Sequence, residues 1–266
     1  MGHDIKTLRN RIKSVRSTLH LTKAMGLVAS SKVRKAQLSR INSLEYKENV
    51  GSIVDVLLSS RNIKNCPYLN GTGNEELVIV IAGDRGLAGG YNANVFKLAG
   101  EQSATLYPIG KRACERFGRS INSSEHFSIR DASELANALC QDFKEGKYSK
   151  ISIIYTKYKN MLSQEPVITQ LLPLDASGKE ASGSPVFEPS EEAMLELVVP
   201  TYVTGIIYSA VKESFACEVI ARRNAMDSAG KNATAMIDEL QLKYNRARQG
   251  AITQEITEIV AGSTEQ

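Results

Sequence analysis

The chain has 266 residues, 42% of them hydrophobic and 23% charged, which is enough for one large core or two modest ones in a folded globular protein. No uninterrupted apolar run reaches the roughly 20 residues that cross a bilayer, so direct membrane insertion is not expected. The net charge of +4 hides an asymmetry: Met1 to Arg40 carries ten Lys or Arg against Asp4 alone, so the rest of the chain sums to −5 and the basic start calls for an electrostatic partner.

The first expected element is a long helix over residues 1–60. There is no proline from Asp4 to Leu58, and Ile5, Leu8, Ile12, Val15 and Leu19 recur at alternating spacings of 3 and 4. That is a heptad seam. In the same register come Thr22, Gly26, Ala29, Val33 and Ala36, whose smaller side chains let a partner helix approach closely. At 1.5 Å per residue such a helix runs to about 80 Å, more than a small domain covers, so it has to protrude and pair.

Residues 75–200 read as an α/β domain. The β-branched runs "ELVIVIAG", "TLYPIG", "ISIIYT" and "PVITQLLPL" alternate with helical stretches at Ala88 to Gly100, Lys111 to Phe117 and Asp131 to Lys144. This is the pattern of a mostly parallel sheet with crossover helices. Loop-like sequence, "NCPYLNGTGN" and "DASGKEASGSP", stands before it and near its end.

A second long helix is expected over residues 205–266. Proline is absent from Gly205 to Val260, and Ala233, Met236, Leu240, Tyr244, Ala247 and Ala251 supply a second seam. Gly230 and Gly250 weaken it by roughly 1 kcal/mol each. Two proline-free helices with small seam residues at opposite ends of one chain most simply form a long antiparallel coiled coil. The expected fold is therefore that coiled coil plus a Rossmann-like α/β domain.

The glycine-rich turn "AGDRGLAGGYNANV" raises the question of a phosphate site. Dinucleotide binding needs glycines at i, i+2 and i+5 and an acid at the end of the next strand. Gly83, Gly86 and Gly89 are instead spaced by threes, and the next strand runs into Lys111 and Arg112. No GxxxxGK[ST] occurs, and Asp84 adds a negative charge where an anion would sit. The glycines are read as serving a tight turn and close backbone contact, with no nucleotide site and no cofactor.

Catalytic groupings are scarce as well. His3, His20 and His126 lie in unrelated segments, and GxSxG, HExxH and EF-hand patterns are absent. Cys66, Cys114, Cys140 and Cys217 stand far apart without a CxxC pair, so no metal centre or disulfide framework is expected. They read as reduced thiols of a cytoplasmic compartment, consistent with an N-terminus that enters the heptad pattern without a leader. A basic nucleic-acid-binding coiled coil is the rival reading. It is weakened because no aromatic side chain between Met1 and Leu44 is available to stack on bases.

Four stretches resemble the γ subunit of F-type (rotary) ATP synthase: "IKTLRNRIKSV…LTKAM" with "ASSKVRKAQ", then "AGDRGLAGGYNANV", "ARRNAMDSAGKNA", and the terminal "ELQLKYNRARQGAITQEITEIVAG". The resemblance covers nearly the whole chain. It implies that the two terminal helices form a central shaft inside an α3β3 ring, with the α/β domain below, beside the ε subunit and the membrane c-ring. It places Met25 and Arg222 toward the lower lobes of β, and Lys32, Arg34 and Lys35 toward an acidic loop of β. It places Gln249, Thr253, Glu255, Thr257 and Glu258 where β and α hold the top of the shaft. It further implies no catalytic site of its own, no nucleic acid partner, and a peripheral position on the cytoplasmic side of a bacterial cell membrane. The chain departs from the family's pattern at Gly26, where many relatives carry a larger residue, and at Gly262-Ser263.

Overall fold

The computed structural model describes residues 2–59, 66–118, 123–175, 188 and 190–263. Among them the elements run α1 (Gly2–Leu58), β1 (Glu75–Ile81), α2 (Tyr91–Gly100), β2 (Thr105–Ile109), α3 (Lys111–Phe117), α4 (Ile129–Lys144), β3 (Tyr148–Tyr158), β4 (Gln164–Leu172) and α5 (Glu191–Ser263). The chain divides into two compact units, one of Met1–Ala29 with Arg223–Gln266, the other of Ser30–Arg222.

The first unit is an antiparallel helix pair. The expected α1 seam from Ile5 to Ala29 is buried or half-buried at every position, most deeply at Ile12, Thr22 and Ala29. Its direction follows from three contacts. Arg16 Nη2 donates to Gln241 Oε1 at 3.4 Å, a methyl group added at Gly230 would lie 3.9 Å from Leu19 Cδ1, and one at Gly26 would lie 3.5 Å from Met226 Cβ. As α1 is climbed, α5 is descended. The α5 seam consists of Met226, Gly230, Ala233, Ile237, Leu240, Tyr244, Ala247 and Ala251, all buried or half-buried. Met236, which the spacing suggested, is exposed, and Ile237 takes its place because strict alternation of 4 and 3 from Gly230 passes through it. The seam stops at Ala251, and every residue from Ile252 to Val260 is exposed.

The second unit is built on a four-stranded sheet of order β2-β1-β3-β4, parallel across β2-β1-β3 and antiparallel at β3-β4. Alternation along β1 sends Leu77, Ile79 and Ile81 to one face and Val78 and Val80 to the other, and all five are buried. The first face packs on Val54 and Leu57 of α1, Ala136 and Phe143 of α4, and Leu195, Val203 and Ile207 of α5. The second packs on Val95 and Ala99 of α2 and Ala113 of α3. Ser128 and Asp131 form a reciprocal capping box that starts α4 two residues earlier than expected.

Helix α5 begins at Glu191, well before the expected residue 205, and contains Pro200. A proline removes one helical N–H and usually ends a helix. Here Leu195 and Val199, both fully buried, lie on the near side of it, and their burial holds the first turns. By composition alone α5 also holds an 18-residue stretch apolar enough to pass for a membrane span, 56% of it buried within the protein. Uninterrupted runs missed it because Thr204 and Ser209 break the sequence. Its apolar residues Val203, Ile206, Ile207, Ala210 and Val211 belong to the core over the sheet.

Candidate functional site

In a parallel α/β sheet a ligand binds at the carboxyl ends of the strands where strand order reverses. Here that crevice lies between β1 and β3, and it is filled by the protein's own α5. At the end of β1, the backbone N–H groups of Asp84 and Arg85 donate to the two carboxylate oxygens of Glu218, at 3.3 and 3.2 Å. Arg222, one turn along α5, pairs with the same carboxylate and donates from Nε to Gly86 O and from Nη2 to Arg85 O, both at 3.2 Å. At the end of β3, Thr156 N donates to Ser214 Oγ at 3.1 Å and Tyr158 N to Glu213 Oε1 at 3.0 Å. Tyr91 OH closes the group by donating to Ser214 O at 2.9 Å, and burial first, then the Glu218 charge, pushes its phenol upward.

Two glycines at the strand ends admit close neighbours. A methyl group at Gly83 would lie 2.6 Å from the Glu218 carboxyl carbon, so Gly83 admits that side chain. Gly110, at φ 95°, passes so close to Ala82 O that an added methyl would sit 2.0 Å away. Left-handed backbone occurs at Gly89 and, unexpectedly, at Leu87 (φ 60°), which is exposed. The turn thus packs on a carboxylate from α5, where close backbone contact was expected.

Asp84 does not occupy the anion position. Its Oδ1 accepts from Lys111 N and Ser124 N, both at 3.0 Å, and its Oδ2 from Ser123 Oγ at 2.5 Å and Glu125 N at 3.0 Å. Burial alone would raise this carboxyl, but the hydrogen bond from Ser123 and those from the three backbone amides outweigh it and hold it below its ordinary value. Glu125 in turn pairs with Lys32. A hydrogen-bonded chain therefore runs from Lys32 through Glu125, Asp84 and Glu218 to Arg222.

The residues singled out by sequence fall into three settings. Arg222 is buried, its guanidinium committed to Glu218 and the loop carbonyls, and is not an open surface contact. Lys32 is half-buried against Glu125, whereas Arg34 and Lys35 are exposed and, among the described residues, have no ion partner. Met25 is half-buried in the helix pair, and Gln249, Thr253, Glu255, Thr257 and Glu258 are exposed on the last turns of α5. There Thr253 and Thr257 donate to the carbonyls four residues back, and Gln254 donates to Glu258. Sequence reasoning missed Glu213, Ser214 and Glu218, although acids inside "YSAVKESFACEVIARR", with Glu218 and Arg222 spaced i,i+4, carried the signal.

A separate groove of about 540 Å³ over α4 is lined in part by Tyr107, Asp131, Glu134, Asp142 and Lys147. Its carboxylates are already engaged: Asp131 on the α4 cap, Glu134 on Arg130, Asp142 on Lys147. Of its lining carboxylate, ammonium and imidazole groups, His126 alone stands outside these contacts among the described residues.

The crevice at the strand ends is thus occupied by the chain's own α5. A family model described as ATP synthase matches residues 4–264. The ATP synthase gamma chain of Ruminococcus albus is 38% identical over 279 residues, covering 98% of each chain. The sodium-ion-specific ATP synthase gamma chain of Acetobacterium woodii is 36% identical, covering 99% of each. Among solved structures, a chain of the Euglena gracilis mitochondrial ATP synthase superposes with a TM-score of 0.68 at 18% identity, covering 99% of this chain and 95% of that one. A chain of the Tetrahymena thermophila mitochondrial ATP synthase central stalk and c-ring does so with a TM-score of 0.60 at 24% identity, covering 79% of this chain and 99% of that one. On the identities and coverage of its relatives, the chain belongs to the ATP synthase gamma-chain family.

Proposed function

We propose that the chain is the rotating central stalk of a rotary ATP synthase, coupling ion flow through the membrane sector to ATP synthesis and hydrolysis at the β subunits. It makes no bond itself. The observation that carries this reading is the exposed end of α5. Past Ala251 the helix continues with every described side chain to residue 260 exposed, and Ile252, Ile256 and Ile259, 45%, 57% and 71% exposed, form one apolar stripe beside a polar face of Gln249, Thr253 and Thr257. A helix that presents both faces beyond its partner suits a bearing inside an α3β3 ring. The apolar stripe slides, and the polar face exchanges hydrogen bonds.

The mechanism follows from asymmetry. Two wound helices present different surfaces around their axis, so three identical catalytic sites facing them are biased differently at any instant. Turning the stalk changes which site is biased toward release. The exposed Arg34 and Lys35, which among the described residues have no ion partner, suit an acidic loop of β. The α/β domain suits contact with the ε subunit and the c-ring, which makes the chain a peripheral component on the cytoplasmic side of a bacterial cell membrane.

The test is reconstitution of the full complex with Arg34→Glu/Lys35→Glu. Ion pumping per ATP hydrolysed should fall several-fold in membrane vesicles while the subunits still assemble. Pumping equal to wild type would remove both residues from the coupling surface. Failure of the chain to copurify with α and β subunits would remove the reading itself.

A further inference from the structure

The loop between β1 and α2 holds an anion, and that anion is a side chain. Two consecutive backbone N–H groups, of Asp84 and Arg85, and the Arg222 guanidinium converge on one carboxylate. This donor set recognises small oxyanions, phosphate and carboxylate alike. The Glu218 side chain is 2% exposed and the Arg222 side chain 10%, so the site is built into the interior. It stands at the crevice where a parallel sheet of this order receives a ligand. Gly83 leaves room for the Glu218 side chain, which a methyl group there would meet at 2.6 Å.

We propose that Glu218 is the resident anion of an oxyanion-binding loop, closing the α/β domain to phosphate ligands and positioning residues 84–87 from within the chain. The loop then keeps one arrangement, with Leu87 displayed to solvent, whatever the surrounding concentration of nucleotide or phosphate. In Glu218→Ala the two N–H donors lose their acceptor and the buried guanidinium, still bonded to the loop carbonyls, loses its counter-ion, around a cavity the size of the deleted Cγ and carboxyl group. That cavity accepts formate, or inorganic phosphate if the loop yields slightly.

The experiment uses the isolated full chain, so its outcome does not depend on assembly into any complex. Thermal unfolding of wild type and Glu218→Ala is followed against sodium formate and inorganic phosphate, at ionic strength held constant with chloride. Glu218→Ala should melt below wild type. Formate at ten times its Kd should raise the variant's Tm by about 3–6 °C, with wild type unmoved. Equal shifts in both proteins, or none in the variant, overturn the proposal. If Glu218→Ala does not fold, Glu218→Gln supplies the reading. Its Asp84 and Arg85 amides should exchange with solvent at least about tenfold faster than in wild type, with Ile79 unchanged. Unchanged exchange at both overturns it.

Discussion

The helix pair should become more stable when its glycines are filled, and the gain can be worked out position by position. Gly26 and Gly230 lie inside α1 and α5, where glycine costs roughly 0.8–1.0 kcal/mol against alanine. A methyl group at Gly26 meets Met226 Cβ at 3.5 Å, and one at Gly230 meets Leu19 Cδ1 at 3.9 Å and Thr22 Oγ1 at 4.0 Å. These are ordinary van der Waals separations, so no steric cost offsets the gain. The double variant Gly26→Ala/Gly230→Ala should gain about 1.6–2 kcal/mol if the sites add. Amide hydrogen exchange around Ile12 to Gly26 and Met226 to Gln241 should then slow about 15–30-fold. Gly205 supplies the contrast: a methyl there lies 3.3 Å from Tyr46 Cε1, tighter than at either other site. Gly205→Ala should therefore gain less than Gly26→Ala. Faster exchange in Gly26→Ala would refute the reasoning and show that the seam requires glycine.

Asp84→Asn keeps one oxygen acceptor where four donors converge, and should lose about 2–4 kcal/mol of stability at neutral pH. Because the folded state holds this carboxyl below its ordinary 3.8, its contribution is complete above that pH and fades as pH falls through the lower folded value. The gap between wild type and variant in urea unfolding should accordingly close in acid; a gap independent of pH would rule out the Asp84 carboxylate as its source. Gln249→Leu and Thr253→Val should lower steady-state ATP hydrolysis by the assembled ring, with circular dichroism of the chain unchanged. Wild-type rates for both would mean that the polar face makes no working contact. Burial, and secondarily the Glu213 charge, pushes the Cys217 thiol up to about 12. It should stay unmodified by a thiol reagent at pH 8 in the folded chain and react fully in urea, whereas labelling of the native chain at Cys217 would contradict its burial.

Sequence alone determined what depends on local periodicity. The alternation of 3 and 4 from Ile5 to Ala36 is buried or half-buried throughout as the spacing demands, because one face of a long charged helix has no other way to leave water. The apolar runs became strands, and the terminal signature identified the family. Spacing alone misplaced Met236, since neighbouring positions on a helix differ in burial only once the partner's direction is known. It also started α5 too late, because Pro200 reads as a breaker until Leu195 and Val199 are seen under the sheet. The meaning of the glycine loop lay wholly in tertiary structure. Asp84 and Glu218 are 134 residues apart, and which of the two carboxylates meets the loop's N–H groups depends on where α5 crosses the strand ends. Local sequence specifies what a segment can hydrogen-bond; only packing of distant segments decides which partner arrives.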